Sequence, residues 1–378
     1  MERRAVRKRD NWKQKFDELG FSFHSMGGIY WNEGACYEFS GDEIDHFEEV
    51  TAELHALCLK AVDYIIDRNL FQKLGIPERW AAFVTESWKR KDRSLYGRFD
   101  FTYDGKGEPK LLEYNADTPT SLVESSIAQW VWLEDMYPDH DQFNSIHEKL
   151  QDAFAAVKAP LPPFQPFYFT CVRDHEEDFV TVEYLRDVAL QSGLDGRHIF
   201  IEDIGFDAER QCFCDLDNNP ITHAFKLYPW EWLLADEFGE NVMTSGIRFF
   251  EPPWKMILAN KGILPILWEM APGHRNLLPA FFEAGRICGD YVRKPLFSRE
   301  GANVMLQAGG RTYEGEDANY GIEGYVYQKA QLLPNFSGSF AAVGSWVVNG
   351  LPAGLGIRED STPITTNTSL FVPHYFQP

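Results

Sequence analysis

Between Arg98 and Asn115 the chain reads Arg98-Phe99-Asp100-Phe101, then Asp104-Gly105-Lys106-Gly107-Glu108-Pro109, then Leu111-Leu112-Glu113-Tyr114-Asn115. Two alternating segments around a glycine-bearing turn predict a hairpin. Alternation sets Arg98, Asp100 and Thr102 on one face, with Phe99, Phe101 and Tyr103 on the other. On the return segment Leu111, Glu113 and Asn115 share one face and Leu112 and Tyr114 the other. A turn centred between Lys106 and Gly107 places Asp100 opposite Glu113, Arg98 opposite Asn115, Phe99 opposite Tyr114 and Phe101 opposite Leu112. Two carboxylates facing each other across a ladder repel, so this register calls for positive charge between them. Arg98 could supply it, leaving a solvated face with an ordinary ion pair. A metal could supply it too, because carboxylates and an amide oxygen suit Mg²⁺, an ion that usually holds nucleotide phosphates.

Other basic residues stand where phosphates could be held. Lys294 ends the apolar segment Tyr291-Val292-Arg293-Lys294-Pro295 and precedes Ser298-Arg299-Glu300-Gly301-Ala302-Asn303, a polar turn whose backbone N–H groups could face an anion. Lys261 follows Asn260, and Arg358 lies beside Glu359 and Asp360. Taken singly, each fits a solvated lysine or a surface ion pair equally well. The P-loop, strand-borne G-x-G-x-x-G, G-x-S-x-G and H-E-x-x-H motifs are absent, which removes the standard P-loop, Rossmann, α/β-hydrolase and zincin readings.

The elements that must position these residues read as mixed α/β. Ser40-Gly41-Asp42-Glu43 has capping-box spacing, and apolar residues at Ile44, Phe47, Val50, Leu54, Leu57, Ala61 and Ile65 predict a long helix ending at Gly75-Ile76-Pro77. A helix over 121–136 carries an aromatic stripe of Trp130, Trp132 and Tyr137, expected in the core. After a Pro-rich connector over 160–166, a strand at 167–172, a helix around 183–190 and a strand at 198–201 predict a βαβ unit. Strands are expected at 224–227 and 247–250. From about residue 291 the pattern turns to hairpins, with strands at 291–296, 303–307, 324–328 and 340–348. Asn349-Gly350 is a two-residue turn that returns the chain through 353–358.

The 378 residues are 44% hydrophobic and 25% charged, enough for a substantial core and without low-complexity tracts. A formal charge of −21 speaks against a nucleic-acid groove or an anionic membrane surface, both of which need clustered Lys and Arg, and suits a cationic substrate. The basic start, Arg3-Arg4 and Arg7-Lys8-Arg9, runs into Asp10 and not into an apolar stretch, so no signal peptide is expected. No apolar run approaches the roughly 20 residues of a membrane span. Six scattered cysteines do not form a disulfide framework, and a cytoplasmic location is expected. Cys212-Phe213-Cys214 lacks the second ligand pair that zinc requires, and Cys36 near His24 carries no more than a structural reading.

Together, Tyr96-Gly97-Arg98-Phe99-Asp100, the run from Leu111-Leu112-Glu113-Tyr114-Asn115 through Ala116-Asp117-Thr118-Pro119-Thr120-Ser121-Leu122, Glu251-Pro252, the segment from Asn260-Lys261-Gly262 to Trp268, and Val292-Arg293-Lys294-Pro295 resemble the synthetase domain of glutathionylspermidine synthase and trypanothione synthetase. That domain is an ATP-grasp carboxylate–amine ligase. The resemblance runs from about residue 10 to the C-terminus. It implies an α/β (α+β) ATP-grasp-like fold of mixed sheets over 1–378, divisible into sub-lobes 1–160, 161–290 and 291–378; the bifunctional members' extra amidase domain has no room in these 378 residues and is not expected. It implies that Asp100, Glu113 and Asn115 hold Mg²⁺. Arg98 would stabilise the transferring phosphoryl group, and Arg358 would lie near the reacting carboxylate. Lys261, Lys294, Glu300, Gly301 and the stretch from Gln328 to Leu332 would bind ATP, with Thr118, Glu176 and Glu177 toward the substrates. The implied partners are small molecules, a peptide such as glutathione and an amine such as spermidine. A protein that binds nucleotide or polyamine with little turnover, and a related ligase for another peptide, are the alternatives that remain.

Overall fold

Asn349 and Gly350 adopt φ of 51° and 79°, the left-handed pair that a two-residue hairpin needs. They join Ser339–Val348 to Leu351–Asp360, and this long hairpin is the spine of a computed structural model that describes residues 1–25 and 28–377. The spine belongs to a six-stranded sheet in the order Leu370–Val372, Leu351–Asp360, Ser339–Val348, Tyr96–Thr102, Lys110–Asn115, with Asn335–Phe336 also on Ser339–Val348. Gly344 faces Asp100 and Trp346 faces Arg98 in antiparallel register. Strands from 1–160 and from 291–378 share this sheet.

Among the described residues it is accompanied by three further sheets of three to five strands and a two-stranded ribbon. Arg248–Phe250, His223–Lys226, Pro166–Thr170 and Asp195–His198 form a parallel sheet. Its crossover helix Glu176–Gln191 completes the expected βαβ unit, with the second strand three residues earlier than 198–201. Ala280–Phe281, Tyr325–Lys329, Tyr291–Pro295, Met305–Ala308 and Arg311–Glu314 form an antiparallel sheet that carries Lys294. Glu2–Ala5, Ala35–Ser40 and His374–Gln377 form a three-stranded sheet.

The capping box at Ser40 is present: Glu43 N–H donates to Ser40 Oγ at 3.2 Å, and Ser40 N–H to Glu43 Oε2 at 2.9 Å. Helix Gly41–Asp67 stops earlier than expected. Asn69 takes φ 51° just past its end, a left-handed C-terminal residue that breaks the ladder before Gly75. Its buried face packs on the site hairpin, with the Phe47 and Phe101 ring centroids 6.0 Å apart. The helix expected over 121–136 is a π-helical turn, Glu124–Ala128, followed by α-helix Gln129–Met136. Trp132 is buried as expected, whereas Trp130 lies on the solvent side. Among the described residues no helix is long and apolar enough to cross a membrane.

Candidate active site

Strands Tyr96–Thr102 and Lys110–Asn115 pair with Arg98 opposite Asn115, Phe99 opposite Tyr114 and Asp100 opposite Glu113. Phe99 and Tyr114 stack with centroids 3.9 Å apart on the core side, so the four polar residues share the other face. The register slips beyond Asp100, and Phe101 faces Leu111 instead of the expected Leu112. A β-bulge explains the difference: one extra residue reverses the facing of the residues beyond it. Leu111 is consequently fully buried, while Leu112 turns to the polar face and lines the cavity there.

The facing carboxylates are met by protein cations. Arg98 grips Asp100 through two bonds, Nε to Oδ1 at 2.6 Å and Nη2 to Oδ2 at 3.0 Å, and its Nη1 donates to the Thr120 carbonyl. Arg358 Nη2 adds a bond of 2.9 Å to Asp100 Oδ2. Lys261 Nζ lies 3.1 Å from Glu113 Oε2. Asn115 Nδ2 sits between the two acids, 3.1 Å from Asp100 Oδ2 and 3.1 Å from Glu113 Oε1. Burial alone would raise the Glu113 carboxyl, but the Lys261 and Lys294 ammoniums outweigh it and hold the group well below the usual carboxylate range. Two carboxylates and one amide on a single face supply the oxygen chemistry of a Mg²⁺ site, since that ion keeps waters and takes its remaining ligands from phosphates. Among the described residues no group of three or more His, Cys, Asp and Glu is gathered for a metal, so a site here needs the amide and non-protein oxygens.

These residues line one cavity, where Arg98, Lys261, Lys294, Arg299 and Arg358 face three carboxylates, Asp100, Glu113 and Glu300. An excess of cations in a chain of net charge −21 makes this an anion site. Lys294 is buried at 7% exposure and donates to the Leu112 carbonyl at 2.7 Å and to Gln328 Oε1 at 2.9 Å. Burial pushes its ammonium down to about 8, although Glu113 pulls the other way. Leu112, Val292, Val304, Leu306 and Leu333 give the cavity an apolar wall. Glu300 and Gly301 form its rim with φ of 53° and 73°, and a Cβ on Gly301 would come within 2.6 Å of the Thr365 carbonyl. Arg299 ties this rim across the cavity, to Thr118 Oγ1 at 2.6 Å and to Glu231 Oε1 at 2.9 Å.

Two buried ion pairs absent from the sequence reading anchor the hairpin. Glu251 Oε1 accepts the N–H groups of Leu95 at 2.9 Å and Tyr96 at 3.0 Å, and Lys255 stands 3.3 Å away. At the other end Asp117 bonds Lys226 Nζ at 2.7 Å and the Trp230 N–H at 2.9 Å. A lone Lys or Asp in sequence gives no sign of such a partner. Arg299 was legible only as part of a polar turn.

The remaining expected residues are dispersed. Thr118 lines the cavity. Gln328 lies beneath it, bonded to Lys294 and, through Nε2, to the Leu111 carbonyl at 3.0 Å. Leu332 is 46% exposed; its carbonyl takes the Thr102 hydroxyl at 2.9 Å, and its neighbours Gln331 and Leu333 line the cavity in its place. Glu176 and Glu177 open the helix Glu176–Gln191 outside the lining. Glu176 accepts from Ser22 Oγ at 2.5 Å, and burial, with Glu124 and Asp178 nearby, pushes the Glu177 carboxyl up to about 8.

Residues 3–377 match the family model described as glutathionylspermidine synthase preATP-grasp. A Haemophilus influenzae protein named "Putative acid--amine ligase" is 41% identical over 386 residues, taking in 98% of each chain. Trypanothione synthetase of Crithidia fasciculata is 28% identical over 367 residues, 89% of this chain and 54% of its own length. The bifunctional glutathionylspermidine synthetase/amidase of Escherichia coli is 25% identical over 394 residues, 96% of this chain and 63% of its own length. The chain thus spans under two thirds of those two enzymes. The structure of a glutathione synthetase-like effector from Globodera pallida superposes with a TM-score of 0.58 at 11% identity, covering 98% of this chain and 100% of that one, a likeness of fold alone. With its matched span running from residue 3 to residue 377, the chain belongs to the glutathionylspermidine synthase preATP-grasp family.

Proposed function

We propose that the chain is an ATP-dependent carboxylate–amine ligase that joins a peptide such as glutathione to a polyamine such as spermidine. The observation that carries the reading is the cavity in which five cations and an apolar wall surround the paired carboxylates of the hairpin. A nucleoside triphosphate needs those three features: positive charge for its phosphates, an apolar slot for its base and acidic oxygens for its counterion.

A carboxylate oxygen of the peptide attacks the γ-phosphorus of ATP, the bond to the ADP oxygen breaks, and an acyl phosphate forms. The amine nitrogen then bonds to the acyl carbon as phosphate leaves, and the amine gives up its proton. Lys261 and Lys294 hold the phosphates. Arg98 and Arg358 face the transferring phosphoryl group and offset the charge that grows on its oxygens, the main demand of such transfers. Asp100, Glu113 and Asn115 would hold Mg²⁺, which when bound supplies further positive charge to the phosphate oxygens. The rim at Glu300 and Gly301 excludes water that would otherwise hydrolyse the acyl phosphate. Thr118, on the cavity wall, would face the peptide, whereas Glu176 and Glu177 lie outside that lining and could meet only a part of the substrate that extends beyond it.

ADP release in the presence of glutathione and spermidine tests the reading, with Asp100→Asn and Arg98→Ala as controls. Turnover that disappears in both supports the site; equal turnover in the controls sinks it. Tight nucleotide binding with no product across a panel of peptides and polyamines would turn the reading to a nucleotide-binding protein.

A further inference from the structure

The Cys212-Phe213-Cys214 motif has no part in the ligase reading, and neither cysteine lines the cationic cavity. It forms the second strand of a two-stranded antiparallel ribbon, Gly205–Asp207 with Cys212–Cys214, in which Asp207 faces Cys212 and Gly205 faces Cys214. Spacing by two on a strand sends both thiols to one face, and the two Sγ atoms are 3.7 Å apart. The other four cysteines are single: Cys36, Cys58 and Cys171 are buried, and Cys288 is exposed.

The ribbon also fixes a cation on the pair. Arg210, in its turn, is pinned by Nε to Asp207 Oδ2 at 2.6 Å and by Nη2 to the Asn218 carbonyl at 2.9 Å. The same Nη2 lies 3.4 Å from Cys214 Sγ. Its guanidinium is thus held where it favours a thiolate. Cys212 is half-buried and Cys214 buried, so the two are unequal in access.

We propose that Cys212 and Cys214 form a reversible dithiol–disulfide site that exchanges with low-molecular-weight disulfides. The Cys212 thiolate attacks one sulfur of the incoming disulfide, a mixed disulfide forms, and the first small thiol leaves with the proton that Cys212 gave up. The Cys214 thiolate then attacks Cys212 Sγ, the intramolecular bond closes, and the second small thiol leaves with the proton of Cys214. Two protein hydrogens and one external disulfide become one protein disulfide and two thiols.

The order follows from the surroundings. Burial and the neighbouring Cys212 thiol raise the Cys214 thiol, while Arg210 lowers it. Capping Cys212 removes that neighbour's contribution, while Arg210 Nη2, 3.4 Å from Cys214 Sγ, stays beside the attacking sulfur. Strand rise puts the two Cα atoms about 6.6 Å apart, within the disulfide range but at its long end. A two-stranded ribbon twists more freely than a wide sheet, which lets the pair close.

The whole protein is incubated with glutathione disulfide, alkylated and peptide-mapped by mass spectrometry. In the unmodified chain the peptide holding both cysteines loses two hydrogens and takes up no alkyl group, and dithiothreitol restores both alkylations. Cys214→Ser stops at a mixed disulfide on Cys212, and Cys212→Ser leaves Cys214 free. Exposed Cys288 becomes glutathionylated in every sample not treated with dithiothreitol and shows that the reagent is active. The proposal is overturned if Cys288 reacts while Cys212 and Cys214 both remain alkylatable, or if the mixed disulfide on Cys212 persists in the unmodified chain as it does in Cys214→Ser.

Discussion

Arg358 Nη2 lies 2.9 Å from Asp100 Oδ2 although the two residues are 258 positions apart in the chain. Ser339–Val348 pairs with the strand that carries Asp100, and Arg358, on the next strand out opposite Ala342, reaches across it. Arg98 and Arg358 thus converge on one carboxylate from two parts of the sequence. On the proposed mechanism the charge they offset develops in the transition state, so removing either should lower kcat more than it raises KM. Arg358→Ala is expected to reduce the rate of ADP release by about 10²–10³ at saturating substrate. A change confined to KM would assign Arg358 to ground-state binding instead.

Gly344 faces Asp100 across the ladder, and a Cβ placed on it would come within 2.7 Å of Arg98 Cδ. The missing side chain is the space in which the Arg98 stem runs. Gly344→Ala should displace the guanidinium while leaving the strand intact, and a misplacement of about 1 Å can cost about 10² in rate. Thermal unfolding and kcat measured together check this: kcat should fall far more than stability. Unchanged kcat would mean that Arg98 is free to take another path.

Asp100 already receives bonds from Arg98, Arg358 and Asn115. A free divalent ion must compete with these partners, whereas phosphates arriving with it give the arginines and Lys261 new partners. The protein should therefore bind Mn²⁺ at least about tenfold more tightly, or about 1.4 kcal/mol, with a non-hydrolysable ATP analogue than without it. Mn²⁺ titration followed by electron paramagnetic resonance reads this directly. Equal affinity in both conditions would contradict it.

Burial lowers the Lys294 ammonium from 10.5 to about 8 in the nucleotide-free protein. Its charge is present below that value and lost as pH rises through it. If Lys294 holds phosphate as proposed, nucleotide binding above that value requires proton uptake, and affinity should fall by up to about tenfold per pH unit above pH 8. Lys294→Arg keeps its charge throughout and should flatten the profile. A wild-type profile that is already flat between about pH 7 and pH 10 would remove Lys294 from phosphate contact.

His374 is fully buried, and burial lowers its imidazole from 6.5 to about 3. Gln129 donates its amide to the carbonyls of Ser125 and Leu355, so its Oε1 accepts from His374 Nδ1 at 2.9 Å. The neutral ring contributes stability that is complete above the unfolded value of 6.5 and declines as pH falls toward 3. Denaturant unfolding should show an acid slope in that window containing about 1.4 kcal/mol per pH unit from this one group. His374→Asn should remove that share of the slope.

The facing of Asp100 with Glu113 and of Arg98 with Asn115 was legible because strand period is fixed at two and the charges mark the faces. The bulge at Leu112 was not, since an extra residue between two leucines leaves both candidates apolar. The capping box at Ser40 was legible from four residues, but the helix end at Asp67 hung on the backbone of Asn69, which competes poorly in sequence with a nearby glycine and proline. Chain order hides the long-range pairing altogether: Lys226 with Asp117, Glu251 with the start of the site strand, and Arg299 with Glu231. Each joins residues whose neighbours in sequence give no hint of the partner.

The bulge beyond Asp100 separates the hairpin into two lengths with different obligations. The inner length, from Arg98 to Asp100, is clamped on one side by Asn115 to Glu113 and on the other by Trp346 to Gly344. The outer length keeps one pairing with the neighbouring strand, Phe101 with Val343, and then runs out to the turn at Asp104 to Gly107. A residue inserted at the Asp104–Gly107 tip should therefore leave the facing of Asp100 with Glu113 in place.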